Sequence, residues 1–188
     1  MNRSSRIQVP LLASLLFVAG CGYNTIQTLD ERVNQAQGQI QTQLQRRSDL
    51  IPNLVETVKG ITKQEDTVFI SIANARARLG GAVQSGNVPE MAAANAQLSQ
   101  GLGRLLVIAE AYPQLQSSQN FRQLQDQLEG TENRVAVARQ DYNTAVGEYN
   151  GYIRRFPYNL TAKVFGMGSP REYFEAEAGA TEAPQVKF

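Results

Sequence analysis

FRQLQDQLEGTENRVAVARQDYNTAVGEYNGYIRRF, residues 121–156, sets Phe121, Leu124, Leu128, Thr131, Val135, Ala138, Tyr142, Ala145, Tyr149, Tyr152 and Phe156 at unbroken alternating steps of three and four. That spacing lays one side of a long helix along a heptad seam. Ser117 or Ser118 caps it, giving a helix over 118–155. Upstream, Met91, Ala94, Leu98, Gly101, Leu105, Ile108 and Tyr112 stripe a helix over 88–112, opened by Asn87 as cap, Pro89 in the first turn and Glu90 completing a capping box. Leu54, Val58, Ile61, Val68, Ile72, Ala75 and Leu79 stripe a helix over 51–79 that Gly80-Gly81 would end. Ile26, Leu29, Val33, Ala36, Ile40 and Leu44 do the same over 24–48. Between these two stands Pro52, and a proline inside a helix costs about 3 kcal/mol. Residues 48–51 therefore read as a tight turn, with one kinked helix joining 24–48 to 51–79 as the alternative. The expected fold is all-α, an antiparallel up-and-down four-helix bundle of helices 24–48, 51–79, 88–112 and 118–155, since short turns make neighbours antiparallel. After Pro157 the period is lost, and 158–188 reads as a C-terminal extension, disordered towards its end.

The other end of the chain has a different grammar. Arg3 and Arg6 precede an apolar run from Ile7 to Val18, then small Ala19 and Gly20, then Cys21. A spanning helix needs about 20 apolar residues, and this run is shorter and holds Pro10. It is the layout of a signal peptide over 1–20, and Val18-Ala19-Gly20-Cys21 resembles a lipobox, which makes Cys21 the lipidated first residue of a short anchor, 21–23, ahead of the bundle over 24–157. Two or more acyl chains hold a protein stably on a bilayer. Gly22, where an aspartate would resemble an inner-membrane retention signal, favours an outer-membrane destination facing the periplasm if the cell is Gram-negative.

Composition limits the chemistry. Without its first 20 residues the chain keeps 16 basic and 17 acidic groups, with no basic run, which speaks against nucleic acid as a partner. There is no histidine, so the commonest general base and transition-metal ligand are missing, and an acylated Cys21 leaves no thiol. No metal, cofactor or catalytic set is expected, and an enzyme is the least favoured reading.

Gln43-Leu44-Gln45-Arg46-Arg47-Ser48-Asp49-Leu50-Ile51-Pro52-Asn53-Leu54-Val55-Glu56-Thr57-Val58-Lys59-Gly60 resembles the signature segment of the LemA family. Ala75-Arg76-Ala77, Glu110-Ala111-Tyr112-Pro113, Asn120-Phe121, Leu128-Glu129-Gly130-Thr131-Glu132-Asn133-Arg134, Ala138-Arg139, Tyr142-Asn143, Tyr149-Asn150 and Phe156-Pro157 extend the likeness in order. The resemblance implies a membrane-attached helical bundle and implies no reaction. Two departures stand out: family members typically carry an N-terminal transmembrane helix in place of the lipobox, and often a His where Gln64 precedes Glu65.

Three candidate sites follow. If the first helix leaves the membrane near Asn24 and rises about 1.5 Å per residue, the 46–53 turn stands roughly 35–40 Å away. That distal tip would gather Arg46, Arg47, Asp49, Asn53, Tyr112, Pro113 and Asn120 as a surface for another envelope protein. Glu65, on the core-facing stripe of the second helix, would mark a buried polar site with Tyr142 and Tyr149 of the fourth, either a register-fixing pair or a ligand pocket that reaches Gly101. The long fourth helix would bring Tyr149, Tyr152, Arg154, Arg155, Phe156 and Tyr158 to the headgroup level as an aromatic and basic belt. The leading functional reading is a non-enzymatic membrane-tethered scaffold or adaptor; the alternative is a bundle that binds a small ligand in its core.

Overall fold

The chain is seen in a computed structural model that describes residues 5–60 and 66–175, with side chains from Gly22 onward. Every element among them is helical: α1 Ser5–Lys59, α2 Asp66–Ser85, α3 Val88–Glu110, α4 Pro113–Ser117, α5 Gln119–Ile153 and α6 Tyr158–Val164.

At Pro52 the structure follows the alternative, in which the helix continues, and not the expected turn. There is no turn over 48–51: α1 runs on to Lys59, and its buried stripe of Ile40, Leu44, Arg47, Ile51, Leu54 and Val58 passes the proline without a break. Pro52 has no N–H to offer the carbonyl of Ser48, four residues back, and a buried carbonyl left bare is costly. Arg76 of α2 supplies the missing donor, its Nε lying 3.0 Å from the Ser48 oxygen. The proline is thus accommodated by a neighbouring helix, which local propensity cannot foresee. Lys59 sets its ammonium over the Phe69 ring of α2 at 5.3 Å from the centroid, so α1 and α2 meet again on either side of residues 61–65, which are outside the described set.

α2 also ignores Gly80-Gly81 and ends five residues later at Ser85. The glycine that stops it is Gly86, at φ 70°, a left-handed conformation that glycine adopts without strain. Asn87 then accepts from the Glu90 amide at 3.2 Å, with Pro89 in the first turn of α3. The Ser118 hydroxyl caps α5 through the Phe121 amide.

The buried side of α5 begins as the heptad seam, with Phe121, Thr131, Val135, Ala138, Tyr142 and Tyr149 inside. It does not end there: Val146, Asn150 and Ile153 are buried, while Phe156 is 79% exposed. A 3.5-residue repeat drifts about 20° per heptad against a 3.6-residue helix. Over the length of α5 the drift moves the inward face by about one residue, bringing Val146, Asn150 and Ile153 inside; Phe156 lies past the end of the helix.

The chain divides into two compact units. Gly38–Gln140 with Tyr173–Phe188 takes the second part of α1, all of α2, α3 and α4, and the first part of α5. Its core is Leu44, Ile51 and Leu54 from α1, Ile72 and Leu79 from α2, Met91, Leu98 and Leu105 from α3, Leu115, and Phe121. α2 and α3 are antiparallel, since Ile72 faces Gly101 while Arg78 reaches Gln97. Met1–Gln37 with Asp141–Glu172 is the other unit. There Ile26 and Val33 of α1, Tyr142, Val146, Tyr149 and Ile153 of α5, and Ala162 of α6 are buried. Within the C-terminal extension, residues 158–164 form α6 and the chain then returns along α5 to Arg171.

Candidate functional site

Two polar centres organise the two units: one forms around Arg47, and the other holds Tyr142 and Tyr149 of the expected buried polar site. In the Gly38–Gln140 unit the centre is Arg47, three residues after Leu44 and four before Ile51 on the apolar stripe of α1, and only 4% exposed. Its Nη1 donates to Asn95 Oδ1 and its Nη2 to Ser99 Oγ at 3.0 Å, both on α3, while Nη2 pairs with Glu132 on α5. One guanidinium therefore ties three helices. Burial pushes its pKa below the ordinary arginine value, and the charge of Glu132 and the hydrogen bond to it oppose that shift. Nε is buried without a partner. The distal-tip reading of Arg47 is corrected accordingly: with α1 continuous through Pro52, this side chain points inward.

Arg46, Asp49 and Asn53 stay exposed. At steps of three and four they share one outward face of a continuous helix rather than crowning a turn. Gln45 donates to Asp49 at 2.8 Å. Tyr112 and Asn120 flank the short α4, the first half-buried and the second exposed. Among the described residues no hydrogen bond joins these two to the α1 face.

Of the pocket expected around Glu65 and Gly101, the described residues show the Gly101 side. A Cβ built on Gly101 would lie 2.9 Å from Ile72 Cγ1, so the glycine lets α2 and α3 approach closely; Gly101 also lines an open depression with Ser71, Asn74 and Arg78. Depressions of 270–330 Å³ on this unit are open to solvent. Glu65 lies outside the described residues. Among the described residues no group of three or more acidic side chains could hold a metal ion.

The second centre, in the Met1–Gln37 and Asp141–Glu172 unit, is built where the return segment crosses α1 and α5. Tyr142 donates to the Glu172 carbonyl and Tyr149 to the Met167 carbonyl, each at 2.9 Å. Asn150 and Arg171 exchange a reciprocal pair, Asn150 Nδ2 to the Arg171 carbonyl and the Arg171 amide to Asn150 Oδ1, both 2.8 Å. The Arg171 side chain then reaches Asp30 at 2.7 Å, with Asn34 at 3.4 Å. Burial raises the pKa of both tyrosines; Arg171 works against this in each case, and Glu172 adds to it at Tyr142 and Asp30 at Tyr149. The hydrogen bond to Asp30 holds Arg171 above its usual value. Tyr142 and Tyr149 were singled out from sequence by their place on the seam; Asn150, Asp30 and Arg171 were missed, because no local pattern signals that a segment past the last helix will return.

At the start of this unit, the ring of Tyr158 covers Gly22 so closely that a Cβ there would sit 2.5 Å from it. Glycine at 22 has a packing reason of its own. The expected belt is also rearranged: Tyr149 is buried and Tyr152 stacks on Tyr158 at 4.4 Å, leaving Arg154, Arg155 and Phe156 exposed.

The LemA family model matches residues 36–188, and this chain belongs to the LemA family. Similar known proteins include magnetosome proteins MamQ 2 and MamQ 1 of Paramagnetospirillum magneticum, each 28% identical over 196 residues, covering 92% of this chain and 71% of the relative. Magnetosome protein MamQ of Magnetospirillum gryphiswaldense is 24% identical over 189 residues, covering 87% of this chain and 70% of that one.

Proposed function

We propose that this LemA-family chain is a non-enzymatic adaptor of the bacterial envelope, tethered to a membrane through acylated Cys21 and presenting the outward face of α1 to a protein partner. The observation that carries the reading is how the polar interior is used. Arg47, Tyr142, Tyr149 and Asn150 are buried, and their hydrogen bonds fix helices and the return segment to one another. These groups are committed to holding the structure. Arg46, Asp49 and Asn53 are left in water on one face, a polar docking stripe on a rigid element. Relatives named as magnetosome proteins suit a role in assembly better than one in turnover. Among the described residues no helix is long and apolar enough to cross a membrane, so the reading places the tether at Cys21, whose side chain is outside those described. Because Gly22 is required beneath Tyr158, it no longer argues for one membrane over another.

Two measurements test this in cells making the full chain. Cys21→Ser should abolish labelling by a palmitate analogue and lower the share of the chain that fractionates with the membrane; absence of labelling on the natural chain, or labelling that survives the substitution, overturns the tether. A photo-crosslinker placed at Asp49 or Asn53 should capture the same discrete protein from both positions, and Arg46→Ala should reduce capture several-fold. Capture that differs between the two positions, or none from either, overturns the docking face.

A further inference from the structure

From Tyr149 to Arg171 the chain holds Arg154, Arg155, Lys163 and Arg171 and not one acidic residue. Arg171 is occupied by Asp30, which leaves three outward cations around α6. α6 is amphipathic in an unusual sense. Thr161 and Ala162 face inward, while Leu160 and Val164, one turn apart on the opposite side, are 55% and 77% exposed. Phe156 just before the helix and Phe165 just after it are 79% and 52% exposed. An apolar face turned to water with cations beside it is the composition of a helix lying in a membrane interface, where the apolar side sinks about 5–10 Å into the headgroup boundary.

The position of α6 says which surface covers it. Tyr158 rests on Gly22, and the Phe165 ring lies 4.6 Å from that of Tyr23. α6 is therefore packed on the two residues that follow Cys21. Whether the bilayer begins at an acylated Cys21 or at the apolar Ile7–Val18 stretch, which α1 continues without interruption, it begins within about a turn or two of α6.

We propose that α6 is an interfacial foot: Phe156, Leu160, Val164 and Phe165 enter the surface of the anchoring bilayer, and Arg154, Arg155 and Lys163 meet anionic lipid headgroups. This rests on the membrane-tether reading and adds a second, non-covalent attachment to it. Two signals together hold a protein more firmly than one, and a foot fixed to α1 and α5 also sets how the chain stands on the membrane.

The chain has no tryptophan, so a single introduced one reports its own depth. The full-length Leu160→Trp protein is reconstituted with vesicles of phosphatidylcholine and phosphatidylglycerol carrying bromine on the upper acyl chain. Its emission should shift to the blue and lose most of its intensity, whereas Val107→Trp, at an exposed position of the other unit, should do neither. Adding Arg154→Gln, Arg155→Gln and Lys163→Gln should remove most of the quenching, as should pure brominated phosphatidylcholine. Protein that floats with the vesicles while Trp emission at 160 stays unquenched overturns the foot and leaves the tether standing; protein that does not float overturns both. A blue shift that grows with protein concentration in the absence of quenching identifies a second copy as the occupant and also overturns the proposal.

Discussion

Two arginines hold this protein together, and they do it in opposite ways. Arg47 has a side chain only 5% exposed, inside one unit, bonded to two neutral groups and to Glu132, which is 48% in water. Arg171 is 39% exposed at the edge of the other unit, clamped to Asp30 by its side chain and to Asn150 by its backbone. Taking a guanidinium out of water costs several kcal/mol, and only good geometry and further hydrogen bonds offset it. On that balance Arg47 is expected to fix the register of α1, α3 and α5 more than to add net stability. Arg171 was never far from water, and its clamp stabilises modestly while deciding where the chain end goes.

The comparison is tested most sharply at Arg47. Arg47→Ala should destabilise the fold by about 3 kcal/mol through lost packing and bonds. Arg47→Met fills the same space without a charge and should come within about 1 kcal/mol of the natural chain. Glu132→Gln should cost about 2 kcal/mol, less than the 3–5 of a fully buried pair, because Glu132 is half in water. Urea denaturation measures all three, and Arg47→Met proving as damaging as Arg47→Ala would show the charge itself to be stabilising.

The Pro52–Arg76 compensation comes next. Arg76→Ala leaves the Ser48 carbonyl bare and should cost about 1–2 kcal/mol. In a Pro52→Ala background the helix restores its own donor, so the same change should cost less than about 0.5 kcal/mol. A double-mutant cycle reads the difference as coupling, and additive effects would separate the two residues.

The clamp of the other unit should yield the smallest changes. Tyr142→Phe and Tyr149→Phe should each cost about 1 kcal/mol at neutral pH, and Asp30→Asn about 0.5 kcal/mol, as for a partly exposed pair. The tyrosines add a pH signature. Burial raises both above the ordinary value of 10.0, so the folded state favours the neutral phenol. The stability this contributes is full below about pH 10 and is lost as pH rises through the folded values. In an alkaline titration followed by helicity, the deficit of the double phenylalanine variant against the natural chain should therefore narrow above about pH 10. A constant deficit would mean that the two hydroxyls are not held as described.

Periodicity alone reached the all-helical class, α3 to within two residues and α5 nearly end to end, because a repeating apolar stripe and a cap such as Asn87 are local properties. It also contained, unread, the position of Arg47: the side chain stands on the same three-four rhythm as Leu44 and Ile51, and the penalty assigned to Pro52 broke the pattern one step too soon. The tertiary structure decided what no local rule carries. Arg76 from another helix made a proline tolerable inside α1; the drift of a real helix against the heptad turned Asn150 and Ile153 inward; and Asn150, Asp30 and two tyrosine hydroxyls fixed a segment that has no period of its own. Each depends on a donor or a cavity supplied from a distant part of the sequence. The same holds for α6, whose apolar face gains its meaning only once Tyr158 is seen to rest on Gly22.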